Sequence, residues 1–213
     1  FLDKAGNELG SGGQILSQIY TVDRSKVLPQ LRESLFTIAC DVSNPFYGEQ
    51  GAAYVFARQK GADDTMIRLL DEGLRNFAEV IERTMGIEVN KISGSGAAGG
   101  LGGGFVAFLK GTLKPGIRMV LEALRFDEQI QGADLIITGE GKLDEQTCMG
   151  KTPLGVLRAA MEQDIPVIVL GGSVMEVDLL NASGFLAVLP LLPYPVSLEQ
   201  AMDKDFTKGN IMR

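Results

Sequence analysis

The sequence predicts an α/β protein built on short parallel strands, and three observations carry that reading. From residue 133 onward, apolar runs and helical stretches alternate in the order strand–helix–strand–helix–strand, and short βαβ units imply a parallel sheet. The first run, Leu135-Ile136-Ile137-Thr138, stops abruptly in Gly139-Glu140-Gly141-Lys142-Leu143-Asp144, where glycines alternate with charges. An earlier apolar run, 35–42, also ends in polar residues, Asp41 and Asn44. Ligands of open α/β sheets sit beyond the carboxyl ends of the strands, so the loop at 139–144 is expected on a functional rim.

Taken in order, residues 1–13 read as a strand and turn leading into a short helix near 14–19. The strand at 35–42 is closed by the turn-forming Ser43-Asn44-Pro45. A short Ala-rich helix over 51–58 then presents Gln59 and Lys60 before Gly61. The clearest helix is 65–84: Met66, Leu69, Leu70, Leu74, Phe77, Ala78 and Ile81 recur at three- and four-residue spacings. Asp63, Asp64 or Thr65 can cap its start, and Gly86 follows its end. Residues 92–104 hold Gly94-x-Gly96-x-x-Gly99 and lead into 105–109, the body of a further helix. Loop amides at such a helix start can bind an anion, and close helix packing is the competing explanation for so many glycines. Ile117, Val120, Leu121 and Leu124 form another amphipathic helix after Pro115-Gly116. Three strands, 134–138, 166–170 and 185–189, are joined by helices near 153–163 and 175–183, and Ser197-x-x-Gln200 is a capping box for a last helix, 198–206. The domain boundary is expected near 126–132.

Composition narrows the function. At 213 residues the chain can bury a sizeable core. A net charge of −7 without any Lys/Arg-rich tract argues against nucleic acid or an anionic membrane as partner, yet leaves room for an anionic metabolite. The longest apolar runs, 167–170 and 185–192, fall far short of a membrane span. Two cysteines, Cys40 and Cys148, suit reduced thiols in a cytoplasmic enzyme, with Cys40 filling core. The absence of histidine excludes histidine bases, Ser-His-Asp chemistry and histidine metal sites within this chain. Acid–base work is therefore expected of carboxylates, lysines or a segment outside this sequence.

Glu140 and Asp144 supply carboxylates for a metal or a base, and Lys142 and Lys151 supply charge for an anion. Phosphoryl transfer uses such parts; a glycine turn with solvated charges would look the same. Gly150-Lys151-Thr152 is close to the end of a Walker A loop, but Glu145 stands where its first glycine belongs, so no P-loop is present. Lys151, at the following helix start, can still meet a phosphate.

Several of these pieces together resemble the bacterial ATP-dependent glycerate kinase family. They are Cys40-Asp41-Val42-Ser43-Asn44-Pro45; Gly51-Ala52-Ala53 with Gln59-Lys60-Gly61-Ala62; the glycines from Gly94 to Gly102; and Ile137-Thr138-Gly139-Glu140-Gly141 with Asp144, Gln146-Thr147 and Gly150-Lys151. Order and spacing match over essentially the whole chain. The family's opening strand with its Asp-Ser-Phe-Lys-Gly loop and its Ala-Asp-Gly-Gly-Glu-Gly motif are not found. The resemblance thus implies two α/β domains: an inserted domain, 1–126, and the C-terminal half of a flavodoxin-like parallel sheet, 127–213, whose N-terminal strands lie elsewhere. A fragment of that kind is expected to be inactive alone.

The resemblance implies transfer of the ATP γ-phosphate to a glycerate hydroxyl with Mg²⁺, giving phosphoglycerate and ADP. Asp144 is then the first choice for base or metal contact, Glu140 the second, and Lys151 the charge that meets phosphate. Gly94, Ser95, Gly96, Gly99 and Gly100, with Gly139 and Gly141, are expected to line phosphate or nucleotide. Asp41, Asn44, Gln59 and Lys60 are expected to orient glycerate, Lys60 meeting its carboxylate. The setting is cytoplasmic, and self-association into a homo-oligomer is allowed. Two alternatives stand beside this one. A non-catalytic module binding a small acid would use the same polar loops. A nicotinamide-dependent dehydrogenase is suggested by Gly94-x-Gly96-x-x-Gly99 alone; Lys114–Gly116, near twenty residues on, offers no acidic partner for a ribose.

Overall fold

The longest element is helix α2 (Asp64–Met85), and it organises the first half of the chain. The Asp63 carboxylate accepts the Met66 N–H at 2.8 Å, capping the start, and Gly86 ends the helix in the left-handed region at φ 70°. Its inward face buries Ile67, Leu74, Phe77, Ala78, Val80 and Ile81; Leu74, Phe77, Ala78 and Ile81 belong to the expected stripe, whereas Met66 and Leu69 are exposed. In the computed structural model, which describes residues 1–144, 147 and 151–212, the chain divides into two compact units, Phe1–Lys114 and Pro115–Arg213. The division falls between Lys114 and Pro115, whereas the sequence reading put it near 126–132. The helix after Pro115 packs with the later unit, through a small cluster of Leu121, Val156 and Ala159.

In the first unit the α2 face meets Ile19, Phe46, Ala52, Val89 and Ala107 in one core. Strand β1 (Thr37–Ala39) pairs in parallel with β2 (Thr112–Lys114), in register Thr37↔Thr112. The strand expected over 35–42 is thus much shorter, because its partner offers only three residues. β2 itself was not anticipated; three residues are too few to show any period. Helix α1 (Ala52–Phe56) leads into a 3-10 turn, Arg58–Lys60, closed by Gly61 at φ 94°. Helix α3 (Ala97–Leu109) starts well before the 105–109 segment expected to be its body. Its first turn is left-handed at Ala98, Gly99 and Gly100, a conformation that glycine permits at little cost.

In the second unit, α4 (Gly116–Ala123) and α5 (Phe126–Gln129) precede a sheet ordered β3 (Ile136–Leu143), β4 (Val167–Val174), β5 (Ala187–Pro190). All three strands are parallel, as expected, with Ile136↔Val167 and Ile168↔Ala187 in register. Helices α6 (Thr152–Met161) and α7 (Val177–Ala182) make the crossovers. Leu157, Val167, Val169 and Leu180 fill the core that results. Two expectations are corrected. β3 does not stop at Thr138: residues 139–143 continue the ladder, where Gly139 and Gly172 let the backbones stay close and Gly171 on β4 leaves room for the buried Leu143 side chain. The last helix is two, α8 (Leu198–Ala201), capped by Ser197, and α9 (Lys204–Ile211), capped by Asp203. Among the described residues no helix is long and apolar enough to cross a membrane.

Candidate active site

The carboxyl end of β3 gathers the charged residues that the sequence singled out. Glu140 stands on the strand with its side chain 28% exposed, and Asp144 follows the strand's last residue at 17%. Lys151, the residue that begins α6, extends its ammonium to both, 3.9 Å from Glu140 Oε1 and 3.8 Å from Asp144 Oδ1. Lys142 Nζ lies 3.0 Å from Asp144 Oδ2. The hydroxyl of Thr147, wholly buried, donates to Glu140 Oε2 at 3.3 Å and accepts the Asp144 N–H at 3.2 Å. Among the described residues, two carboxylates and two ammonium groups therefore meet at this rim, and the Thr147 hydroxyl binds the side chain of one acid and the backbone amide of the other. Thr147 was legible only as part of a motif; nothing in its spacing foretold that it joins the two acids.

Of these charged groups Glu140 lines a cleft of about 1120 Å³, together with Gly139 and Gly141 of β3, Gly172 and Ser173 of β4, and Tyr194 beyond β5. The Gly171-Gly172-Ser173 run was missed by the sequence reading, although a strand ending in two glycines and a hydroxyl repeats the design of β3. The glycines differ in what confines them. A Cβ on Gly139 would stand 2.9 Å from the Leu170 carbonyl oxygen, and one on Gly172 would stand 2.7 Å from that of Gly141. A Cβ on Gly141 would meet nothing within 4 Å. Strand pairing thus requires the first two, while Gly141 leaves the cleft wall bare. Among the described residues no three acidic, cysteine or histidine side chains cluster as a metal site. Gln146, Cys148 and Gly150, all named from the sequence, lie outside the described residues.

In the first unit the structure brings Asn44 to the glycine turn. Gly96 N–H donates to the Asn44 carbonyl at 2.9 Å, and Cys40 Sγ lies 3.3 Å from the Val42 oxygen and 3.7 Å from that of Gly94. A Cβ on Gly94 would stand 2.7 Å from Cys40 Sγ, and one on Gly96 would fall on the Pro45 carbonyl. Gly100 and Gly103 face the Phe46 ring in the same way. Close packing therefore accounts for most of this run, and Gly99 and Gly104 have open space at their Cβ positions. Ser95 is fully enclosed, and its hydroxyl has no hydrogen-bond partner among the described residues. A 3-10 turn, Val89–Lys91, precedes the run, where a dinucleotide fold would place a strand. That weakens the dehydrogenase alternative.

Asp41 is exposed near this turn, and the Asn44 side-chain amide donates to the Gln50 carbonyl at 2.9 Å. Gln59 and Lys60 lie on the exposed 3-10 turn after α1. Lys60 lines a separate cleft of about 610 Å³ with Gln14, Ser17, Leu70 and Glu72. The four residues expected to orient glycerate thus fall into two groups, Asp41 with Asn44 and Gln59 with Lys60.

Comparison with known proteins matches residues 1–211 to the glycerate kinase family profile. A glycerate kinase of Halalkalibacterium halodurans is 45% identical over 95% of this chain and 54% of its own length. A glycerate 2-kinase of Escherichia coli K12 is 40% identical over 93% of the chain and 52% of its own. A crystal structure from Salmonella typhimurium LT2, assigned as glycerate kinase 2, superposes with a TM-score of 0.75 at 38% identity, covering 99% of this chain and 55% of that one. The chain spans about half the length of the curated relatives it matches.

Proposed function

The chain belongs to the glycerate kinase family, and on that premise we propose that it serves transfer of the γ-phosphoryl group of ATP to a hydroxyl of glycerate, yielding phosphoglycerate and ADP. The observation that carries this reading is the rim at the end of β3, where Lys151 joins Glu140 and Asp144 over the buried Thr147 hydroxyl. In the transfer, the glycerate oxygen bonds to the γ-phosphorus as the bond to the bridging β,γ-oxygen breaks, and the hydroxyl proton must leave. Such a reaction is catalysed mainly by positioning and by charge placed near the phosphates. Asp144 is assigned as the carboxylate that takes the proton or contacts the metal, with Glu140 second. Lys151, at the helix start, meets phosphate charge.

The donor set fits Mg²⁺, which is usually held through one or two carboxylates together with substrate phosphates; Asp144 is the residue that would hold it. The ion would neutralise phosphate charge. In the first unit, Lys60 is assigned to the glycerate carboxylate, with Asp41, Asn44 and Gln59 orienting the acid. Within the Gly94–Gly100 turn, phosphate contact is assigned to the exposed Gly99, since the Ser95, Gly96, Ala97 and Gly100 amides donate to carbonyls of the protein. A cytoplasmic setting suits Cys40, a free thiol. Self-association is favoured by apolar surface such as Ile137, 62% exposed on β3.

A coupled assay for ADP, with glycerate, ATP and Mg²⁺ present, tests the reading on this chain completed to the full length of its relatives, since the chain alone is expected to be inactive. Glycerate-dependent ADP formation that disappears on chelation is the expected result. ADP release indifferent to glycerate would overturn it.

A further inference from the structure

Asp71 is the one charged residue buried among the described residues, 6% exposed on the inward face of α2 between Ile67 and Leu74. A buried carboxylate is a poor way to stabilise a helix face, since an apolar residue of similar size usually does as well or better. Its partners indicate another use. One oxygen accepts the Gly48 N–H at 2.7 Å, and Gly48 sits at φ 101°, where only glycine is at ease. The other lies 3.7 Å from Arg75 Nη2, whose guanidinium stacks 4.5 Å above the Tyr47 ring. Tyr47 N–H in turn donates to Asn90 Oδ1 at 2.9 Å. The segment so held ends at Gln50, whose carbonyl takes the Asn44 side-chain amide, and the Asn44 carbonyl takes the Gly96 N–H.

We propose that Asp71 is a positioning residue: through Gly48 it fixes the 44–50 segment so that Asn44 keeps one geometry for the substrate acid. The proposal rests on the reading of Asp41 and Asn44 as residues that orient glycerate. Asp71 does not touch substrate. It acts through three hydrogen bonds, donated by the Gly48 N–H to its carboxylate, by the Asn44 side-chain amide to the Gln50 carbonyl and by the Gly96 N–H to the Asn44 carbonyl.

Two measurements on Asp71→Ala and Asp71→Asn test it. In amide hydrogen exchange, Asp71→Ala should accelerate Gly48 and the distant Gly96 by about tenfold or more, the scale of one lost hydrogen bond, while Leu74 and Phe77 keep their protection. In the kinase assay the same variant should raise KM for glycerate about tenfold and shift KM for ATP by less than about twofold. Asp71→Asn, which keeps an oxygen for the Gly48 amide, should recover most of both effects. Faster exchange spread evenly over α2, or equal changes in the two KM values, would mean that Asp71 merely supports the fold. Absence of glycerate-dependent turnover from the wild-type chain completed to the full length of its relatives would sink the functional reading, whereas the exchange pattern alone still decides whether the latch exists.

Discussion

The two glycine-rich regions look alike in sequence and are built for different purposes. In the 94–104 run the missing side chains are needed by the protein itself: Gly94 makes room for Cys40, Gly96 for Pro45, and Gly100 and Gly103 for Phe46. Its one fully enclosed polar side chain, Ser95, has no hydrogen-bond partner among the described residues. At the ends of β3 and β4, Gly139 and Gly172 let two strands pair closely, but Gly141 opens on empty space beside charged groups. A glycine count cannot separate a packing device from a ligand-facing surface. The separation comes from what a Cβ would strike and from where the ionisable groups collect.

The largest effect that would sharpen this contrast is at Asp144. If the β3 rim holds the chemistry, Asp144→Asn should lower kcat by about 10²-fold or more, the usual worth of an acid–base group, with an unchanged thermal midpoint. A folded Asp144→Asn enzyme at full rate would reduce the rim to a solvated charge cluster. Next comes a paired substitution. Gly96→Ala should destabilise the first unit by about 1–3 kcal/mol, as overpacking typically does, since its methyl would displace the Pro45 carbonyl. Gly141→Ala should stay within about 0.5 kcal/mol of wild type and yet impair nucleotide or substrate binding. Equal stability losses at the two positions would erase the distinction.

A smaller effect is expected at Lys60. Lys60→Met should raise KM for glycerate by about tenfold, a lost charge-assisted contact, and leave KM for ATP nearly unchanged. Lys60 lines its own cleft with Gln14 and Ser17, so a parallel rise in both constants would assign that cleft to something other than the substrate carboxylate.

How far the sequence could be read depended on period and length. The extent of α2 was legible nearly to the residue because 22 residues sample its apolar spacing many times over, although the stripe was set to include the exposed Met66 and Leu69. The parallel order of β3, β4 and β5 followed from the strand–helix alternation. The extension of β3 through Gly139–Leu143 was not legible, because glycines and charges normally punctuate a chain, and here the close strand pairing that Gly139 and Gly172 permit overrides that signal. Glu140, Asp144 and Lys151 were readable as residue types beyond a strand, but their mutual distances and the buried Thr147 hydroxyl exist only in three dimensions. Asp71 left a trace that went unused: a carboxylate at the i+4 position from Ile67 breaks the apolar stripe of an otherwise regular helix.

The smallest expected effect concerns Ser95, and it bears most directly on whether the first glycine run ever meets a ligand. Its hydroxyl is buried without a protein partner, and a buried polar group left unsatisfied costs free energy that its removal returns. Ser95→Ala deletes only that oxygen, in a site whose walls are set by Gly94, Gly96 and the 40–46 segment. If the run is solely a packing device, the variant should be as stable as wild type or more so by about 1 kcal/mol, with both KM values unchanged. A variant equally stable but weakened toward ATP would show that the hydroxyl finds its partner on the nucleotide, and that the packed turn opens to admit it. Thermal unfolding and the two KM values, measured on the same preparation, separate these outcomes.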